Sequence, residues 1–159
     1  MNTKYINRLL SSVIALCLCF AAASCSDDEP YDNPFIYIEA TGGVSRVVVN
    51  SDVNNTNAYN VYVSSKAFSR NLEVSYEIVV GDGLQAGRDF EIVNPGNSLT
   101  FMPGIYDMPI RIRWKPNRVD PSKNNTLTIR LTGNNMGFTL GLPGPDMLKR
   151  EVVIEKRNP

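Results

Sequence analysis

Between Leu72 and Val80 the apolar residues fall on every second position. Leu72, Val74, Tyr76, Ile78 and Val80 point one way, and Glu73, Ser75 and Glu77 the other. A period of two is the signature of a strand with one buried face. The pattern returns along the chain from Phe35 onward. Phe35 to Glu39 and Val44 to Asn50 read as short strands separated by Gly42-Gly43. In Tyr59 to Ser65, Tyr59, Val61 and Val63 share a face, and Tyr62 lies opposite. Ser51 to Asn57 is Asn-rich and reads as a loop. Met108, Ile110, Ile112 and Trp114 form another apolar face, with Asp107, Arg111 and Arg113 on its reverse. Leu127, Ile129 and Leu131 turn inward, as do Val152 and Ile154. Asp89 to Val93 and Ser98 to Phe101 are shorter strands around a turn-rich run at 94–97. Gly133 to Asp146 reads as a long irregular connection. No stretch after residue 34 sustains helical periodicity. The pattern predicts an all-β fold, an antiparallel β-sandwich of about seven to nine strands.

The residues before this domain have a different character. Lys4 and Arg8 precede an apolar run from Leu9 to Ala23, interrupted by Ser11 and Ser12. A basic start, a short apolar core and small residues at its end make a cleaved signal peptide. A membrane-spanning helix needs about 20 apolar residues, and this run is shorter. The expected organisation is a signal segment over 1–24, a tether over 25–34 and a sandwich domain over 35–159.

Absences narrow the chemistry. The 159 residues contain no His, which removes the commonest general base and transition-metal ligand. The three cysteines are Cys17, Cys19 and Cys25. Two leave with the signal, so the domain is expected to hold no disulfide and no structural zinc. Loss of the first 24 residues takes the net charge from zero to −2. Nucleic acid is not an expected partner, because it calls for a basic face. No Gly-x-Ser-x-Gly motif appears. Asp107, Asp89, Glu73 and Glu77 show no spacing that suggests paired catalytic carboxylates. Glu73 and Glu77 are expected to pair with Arg130 or Lys156 across strands. The domain is therefore expected to be non-catalytic, with neither cofactor nor metal.

The residues around Cys25 resemble known export signals. Ala22-Ala23-Ser24-Cys25 resembles the lipobox of bacterial lipoproteins, with Ala22 standing where that motif usually has Leu. The resemblance implies that Cys25 becomes a lipidated N-terminus. Ordinary cleavage after Ala21-Ala22-Ala23 fits the same residues. Ser26, Asp27, Asp28 and Glu29 resemble the surface-export signal of Bacteroidetes lipoproteins; as plain residues they read as a solvated acidic linker. Together these likenesses imply an outer-membrane protein, held by lipid on Cys25 and facing the cell exterior. Small Bacteroidetes surface lipoproteins with domains of unknown function are similar, and several such families accompany polysaccharide uptake.

A second resemblance lies within the domain. Residues 79–90, then Leu99-Thr100-Phe101-Met102-Pro103-Gly104, Ile110-Arg111-Ile112 and Leu127-Thr128-Ile129-Arg130-Leu131 resemble the Calx-beta domain. This implies an immunoglobulin-like sandwich. Some Calx-beta domains bind calcium through acidic loops. Here Lys115 to Lys123 carries one Asp among Lys and Arg, too few oxygen ligands for calcium. Asp82 and Asp89 are expected to be turn and edge residues.

The candidate binding residues are aromatic and basic. Trp114 and Tyr76 are in phase with core positions. Tyr62 is out of phase with Val61 and Val63, so it is expected on an outer face. If its strand pairs with that of Asp107, Tyr62 would approach Arg111 and Arg113. That patch would suit a glycan or an acidic protein partner, and a solvated sheet face is the plain alternative. Gly141-Leu142-Pro143-Gly144-Pro145-Asp146 is either a shaped binding loop or a simple connection. The expected function is a surface binding module for glycan or protein. The alternative is an accessory subunit of an outer-membrane complex with no soluble ligand.

Overall fold

The computed structural model describes residues 33–94 and 96–159. The segment 1–24, Cys25 and the acidic run Ser26, Asp27, Asp28 and Glu29 lie outside the described residues. The described residues form ten strands and no helix. In chain order they are β1 (Phe35–Glu39), β2 (Arg46–Asn50), β3 (Asn55–Ser64), β4 (Leu72–Val80), β5 (Phe90–Ile92), β6 (Ser98–Phe101), β7 (Asp107–Trp114), β8 (Thr126–Asn134), β9 (Thr139–Leu140) and β10 (Glu151–Arg157).

They assemble into two five-stranded sheets, ordered β5-β7-β3-β1-β9 and β2-β10-β8-β4-β6. Alternation places the apolar face of each sheet inward. Ile36, Ile38, Tyr59, Val61, Ile110, Ile112 and Trp114 come from the first sheet, and Leu72, Val74, Tyr76, Leu127, Ile129, Leu131, Val152 and Ile154 from the second. All are essentially inaccessible to water. Burying one such side chain stabilises by about 1.5–3 kcal/mol, and this single core supplies the cohesion of the β-sandwich. The two large inward rings satisfy their polar atoms. Trp114 Nε1 donates to Tyr59 Oη at 3.3 Å, and Tyr76 Oη donates to the Gly96 carbonyl at 3.2 Å.

The sheets depart from the sequence expectation in definite ways. β3 begins at Asn55, inside the run expected to be a loop, because Asn55 to Ala58 pair with Trp114 to Arg111 of β7. Cross-strand pairing here overrides the low strand propensity of Asn. Thr139–Leu140 forms a short strand within the expected irregular connection, because it covers the free edge of β1. Val80 is 39 % exposed rather than inward. Two pairs are parallel: β1 with β9, and β2 with β10. Their origin is the β1–β2 connection. Gly42 and Gly43, at φ +86° and +77°, turn the chain from one sheet to the other. Each N-terminal strand then lies beside one of the last two strands.

On the last strand alternation predicts Val152 and Ile154 inward; Lys156 continues the same phase and is fully buried. It does not pair with Glu73 or Glu77. Arg130 does reach Glu77 at 3.0 Å, and also Glu151 at 2.6 Å, forming a half-exposed ladder on the outer face of the second sheet.

Candidate functional site

The outer face of the first sheet carries the predicted binding residues. β1 pairs with β3 so that Tyr37 lies opposite Tyr62. Their rings stack at 5.2 Å with 22° between planes, and Phe35 continues the row at 5.9 Å from Tyr37. Cross-strand aromatic pairs of this kind stabilise a sheet by a few tenths to about 1 kcal/mol. All three rings remain partly open to solvent.

Polar groups bracket the row. From the opposite edge of β1, Lys149 gives its carbonyl to the Ile38 N–H at 2.8 Å. Its Nζ sits 5.6 Å from the Tyr37 ring centre and 2.6 Å from Glu39. Lys149 adopts φ +58° to do so, a backbone conformation that disfavours a side chain. Tyr37 is thus flanked by a ring and an ammonium, and it offers a ligand its edge and hydroxyl. Burial, followed by the Glu39 charge, pushes that phenol up, against an opposing pull from Lys149. The hydroxyl therefore keeps its proton through the neutral range. Asn60 donates to Tyr62 Oη at 3.2 Å.

β3 does pair with β7, but the register separates the predicted residues. Tyr62 lies opposite Asp107, Ala58 opposite Arg111, and Thr56 opposite Arg113. Tyr62 and the two arginines share one face without touching. Along β3, four residues separate the Tyr62 row from that of Arg111 and six from that of Arg113, about 13 and 20 Å at strand rise. Asn60 and Ala58 occupy the floor between them. The result is a strip with rings at one end and exposed guanidinium groups at the other. Arg113 is 3.6 Å from Glu91.

No family model and no curated protein matches this chain.

The remaining polar constellation lies at the far end of the sandwich, built from residues whose spacing in the sequence forms no motif. Asp89, expected to be an edge residue, is fully buried. Its Oδ2 accepts from the Gln85 N–H at 2.9 Å and from Arg88 Nε at 2.8 Å. Its Oδ1 accepts from Asn117 at 2.7 Å and from buried Lys156 at 3.3 Å. Lys156 Nζ also donates to the Lys115 carbonyl at 2.9 Å. Burial pushes the Asp89 carboxyl up, but the hydrogen bonds from Asn117, Arg88, Gln85 and Lys156 together bring it below its ordinary value. The carboxylate is surrounded by donors and joins three segments: the approach to β5, the loop after β7, and β10. Asp82 serves as a cap, accepting from the Asn124 N–H at 3.0 Å. Among the described residues, no group of three or more His, Cys, Asp or Glu side chains is placed to hold a metal ion.

The Gly141–Asp146 loop folds back on itself. The Leu142 N–H donates to the Leu148 carbonyl at 2.6 Å, and the Arg150 N–H to the Met147 carbonyl at 3.2 Å. A shallow pocket of about 650 Å³ opens between Pro145–Glu151, Ser45 and Arg130. The turn that follows this loop, 147–150, sets Lys149 beside Tyr37.

Proposed function

We propose that this chain is a non-catalytic binding module of the cell surface, lipid-anchored through Cys25, that takes an extended glycan along the outer face of its β5-β7-β3-β1-β9 sheet. The observation that carries the reading is the single face shared by Phe35, Tyr37, Tyr62, Arg111 and Arg113. Ring edges and tyrosine hydroxyls suit the mixed apolar and hydroxyl surface of a sugar. Two guanidinium groups, about 13 and 20 Å further along, suit acidic substituents on the same polymer. The ligand class is thus a polysaccharide bearing carboxylate or sulfate groups.

The lipoprotein assignment, the outer-membrane location and the Bacteroidetes and Calx-beta resemblances belong to this proposal and rest on the sequence motifs. A non-catalytic role is supported by the occupation of the carboxylates. Asp89 is saturated by donors, Glu91 is ion-paired with Lys115, and Glu77 and Glu151 share Arg130. Binding of the purified protein to a glycan array, compared with Tyr62→Ala and Arg111→Ala, tests the reading. Retention of acidic glycans by the parent chain and their loss from both variants is expected. Unchanged binding by both variants would dispose of the strip.

A further inference from the structure

We propose that the strip holds, beside Ala58, a receptor for an N-acetyl group, so that its glycan contains an acetylated amino sugar next to an acidic one. The inference rests on the glycan reading above and narrows its ligand.

The receptor arises where β1 leaves the first sheet. The β1–β3 register ends at Glu39 opposite Asn60. Ala40 then bridges Val44 around the turn at Gly42 and Gly43. Ala58, the next residue of β3 on the outer face, has no strand on that side. In an antiparallel pair, alternate residues bond to the partner strand and the others bond away from it. The Val63 N–H donates to the Tyr106 carbonyl at 2.8 Å, so Val63, Val61 and Tyr59 turn their backbone groups towards β7. Arg111, opposite Ala58, turns away from β3, its carbonyl accepting from the Val93 N–H at 2.9 Å. The Ala58 N–H and carbonyl therefore point to the side that β1 has vacated. Among the described residues no backbone group meets them there. An open donor and acceptor midway along a strand are a ready pairing site.

A hollow of about 170 Å³ opens at the same place, between the bared edge of β3 and β2. Its walls are chiefly Ala40, Thr41, Val47, Val48 and Val49. At about 30 Å³ per water the volume equals five or six waters, room for a substituent of a few heavy atoms. Apolar walls beside an open carbonyl specify an acetamido group. In its trans form the amide N–H and the methyl lie on the same side of the bond. The N–H donates to the Ala58 carbonyl as the methyl enters the hollow, and a neighbouring ring hydroxyl accepts from the Ala58 N–H. Arg111 lies directly across from Ala58, about 4.5 Å away between Cα atoms. The acidic group it binds then belongs to the sugar adjoining the acetylated one. The ligand class is an acidic polysaccharide in which uronic acids and N-acetylated sugars are neighbours.

The test titrates the purified protein calorimetrically with three oligosaccharides of similar length. They are hyaluronan, hyaluronan deacetylated and then N-formylated, and polygalacturonate. The formyl form keeps the charge and the amide and loses only the methyl, and polygalacturonate has acid groups without an amide. Hyaluronan is expected to bind about fourfold tighter than the formyl form or more, as burial of one methyl contributes. Thr41→Phe, which fills the hollow, is expected to abolish that preference and leave polygalacturonate binding unchanged, with a thermal melt checking its fold. Equal affinity of the parent for all three would overturn the receptor and leave the strip standing. Binding of none would remove the strip and the receptor together. A preference that survives Thr41→Phe would overturn the proposal. So would displacement of hyaluronan by an extended valine–threonine peptide, which would assign the edge to a polypeptide strand.

Discussion

The ammonium of Lys156 lies 3.3 Å from Asp89 Oδ1, with both side chains at zero exposure. The last strand is thereby tied to the approach to β5, 67 residues earlier in the chain. The two partners are not equivalent. Asp89 keeps Arg88, Asn117 and the Gln85 N–H if Lys156 is lost. Lys156 keeps only backbone carbonyls if the Asp89 carboxylate is lost.

Asp89→Ala is therefore expected to cost about 3–5 kcal/mol, the penalty for leaving a buried charge unpaired. Lys156→Met, which leaves a carboxylate still surrounded by donors, is expected to cost about 1–3 kcal/mol. Urea titrations of both variants measure the difference. Equal losses would mean that the two groups act only as a pair.

The same carboxylate sets an acid limit. Its folded value lies below the ordinary Asp value of 3.8, so the stabilisation it provides is fully present above that pH. The contribution is lost as pH falls through the lower folded value. Stability is expected to be flat in pH near neutrality and to drop below about 3.8. Asp89→Asn should be less stable at pH 7 and lose less on acidification. A parallel acid limb in that variant would assign the drop to other carboxylates.

Gly81 admits no side chain, because a Cβ there would stand 2.2 Å from the Asn124 carbonyl oxygen. The obstacle is backbone and cannot swing aside. Gly81→Ala is expected to cost about 3 kcal/mol or more. At Gly133 nothing lies within 4 Å of the added carbon, so Gly133→Ala is expected to stay within about 0.5 kcal/mol of the parent. Thermal melts of the two variants give the comparison.

On the proposed binding face, Tyr62→Ala is expected to weaken glycan retention about tenfold or more, as loss of an aromatic anchor does. Arg111→Ala is expected to weaken it less at high salt than at low salt, because the guanidinium is exposed and its attraction is screened. Titrations at two ionic strengths separate the two contributions.

Much of the sandwich could be read from alternation. Leu72, Val74 and Tyr76, and likewise Leu127, Ile129 and Leu131, are buried as their phase requires. Period two fails where pairing alone decides, as at Asn55 to Asn57, whose polar side chains carry no strand signal. Lys156 was legible in principle, being in phase with Val152 and Ile154. Its charge masked the phase, and only the partner contributed by Asp89 makes its burial tolerable. Tyr62 sits on the outer face that alternation assigned. Its distance from Arg111 depends on register, which the strand sequences leave open. The Tyr37 partner also required register, since nothing local links residues 37 and 62. Lys149 depends on a backbone turn that no pattern announces.

The order of strands has a consequence for when the domain can form. β10 lies between β2 and β8, so the second strand made has no place in its sheet until the last one exists. Local pairing can bring β3, β4 and their neighbours together early, but the β2-β10-β8-β4-β6 sheet cannot close over the core before Glu151–Arg157 is in place. The second sheet is therefore expected to close only once β10 is available, with that strand acting as the closing stitch. A chain truncated before Glu151 should remain open, sensitive to protease along its whole length rather than only at the cut end.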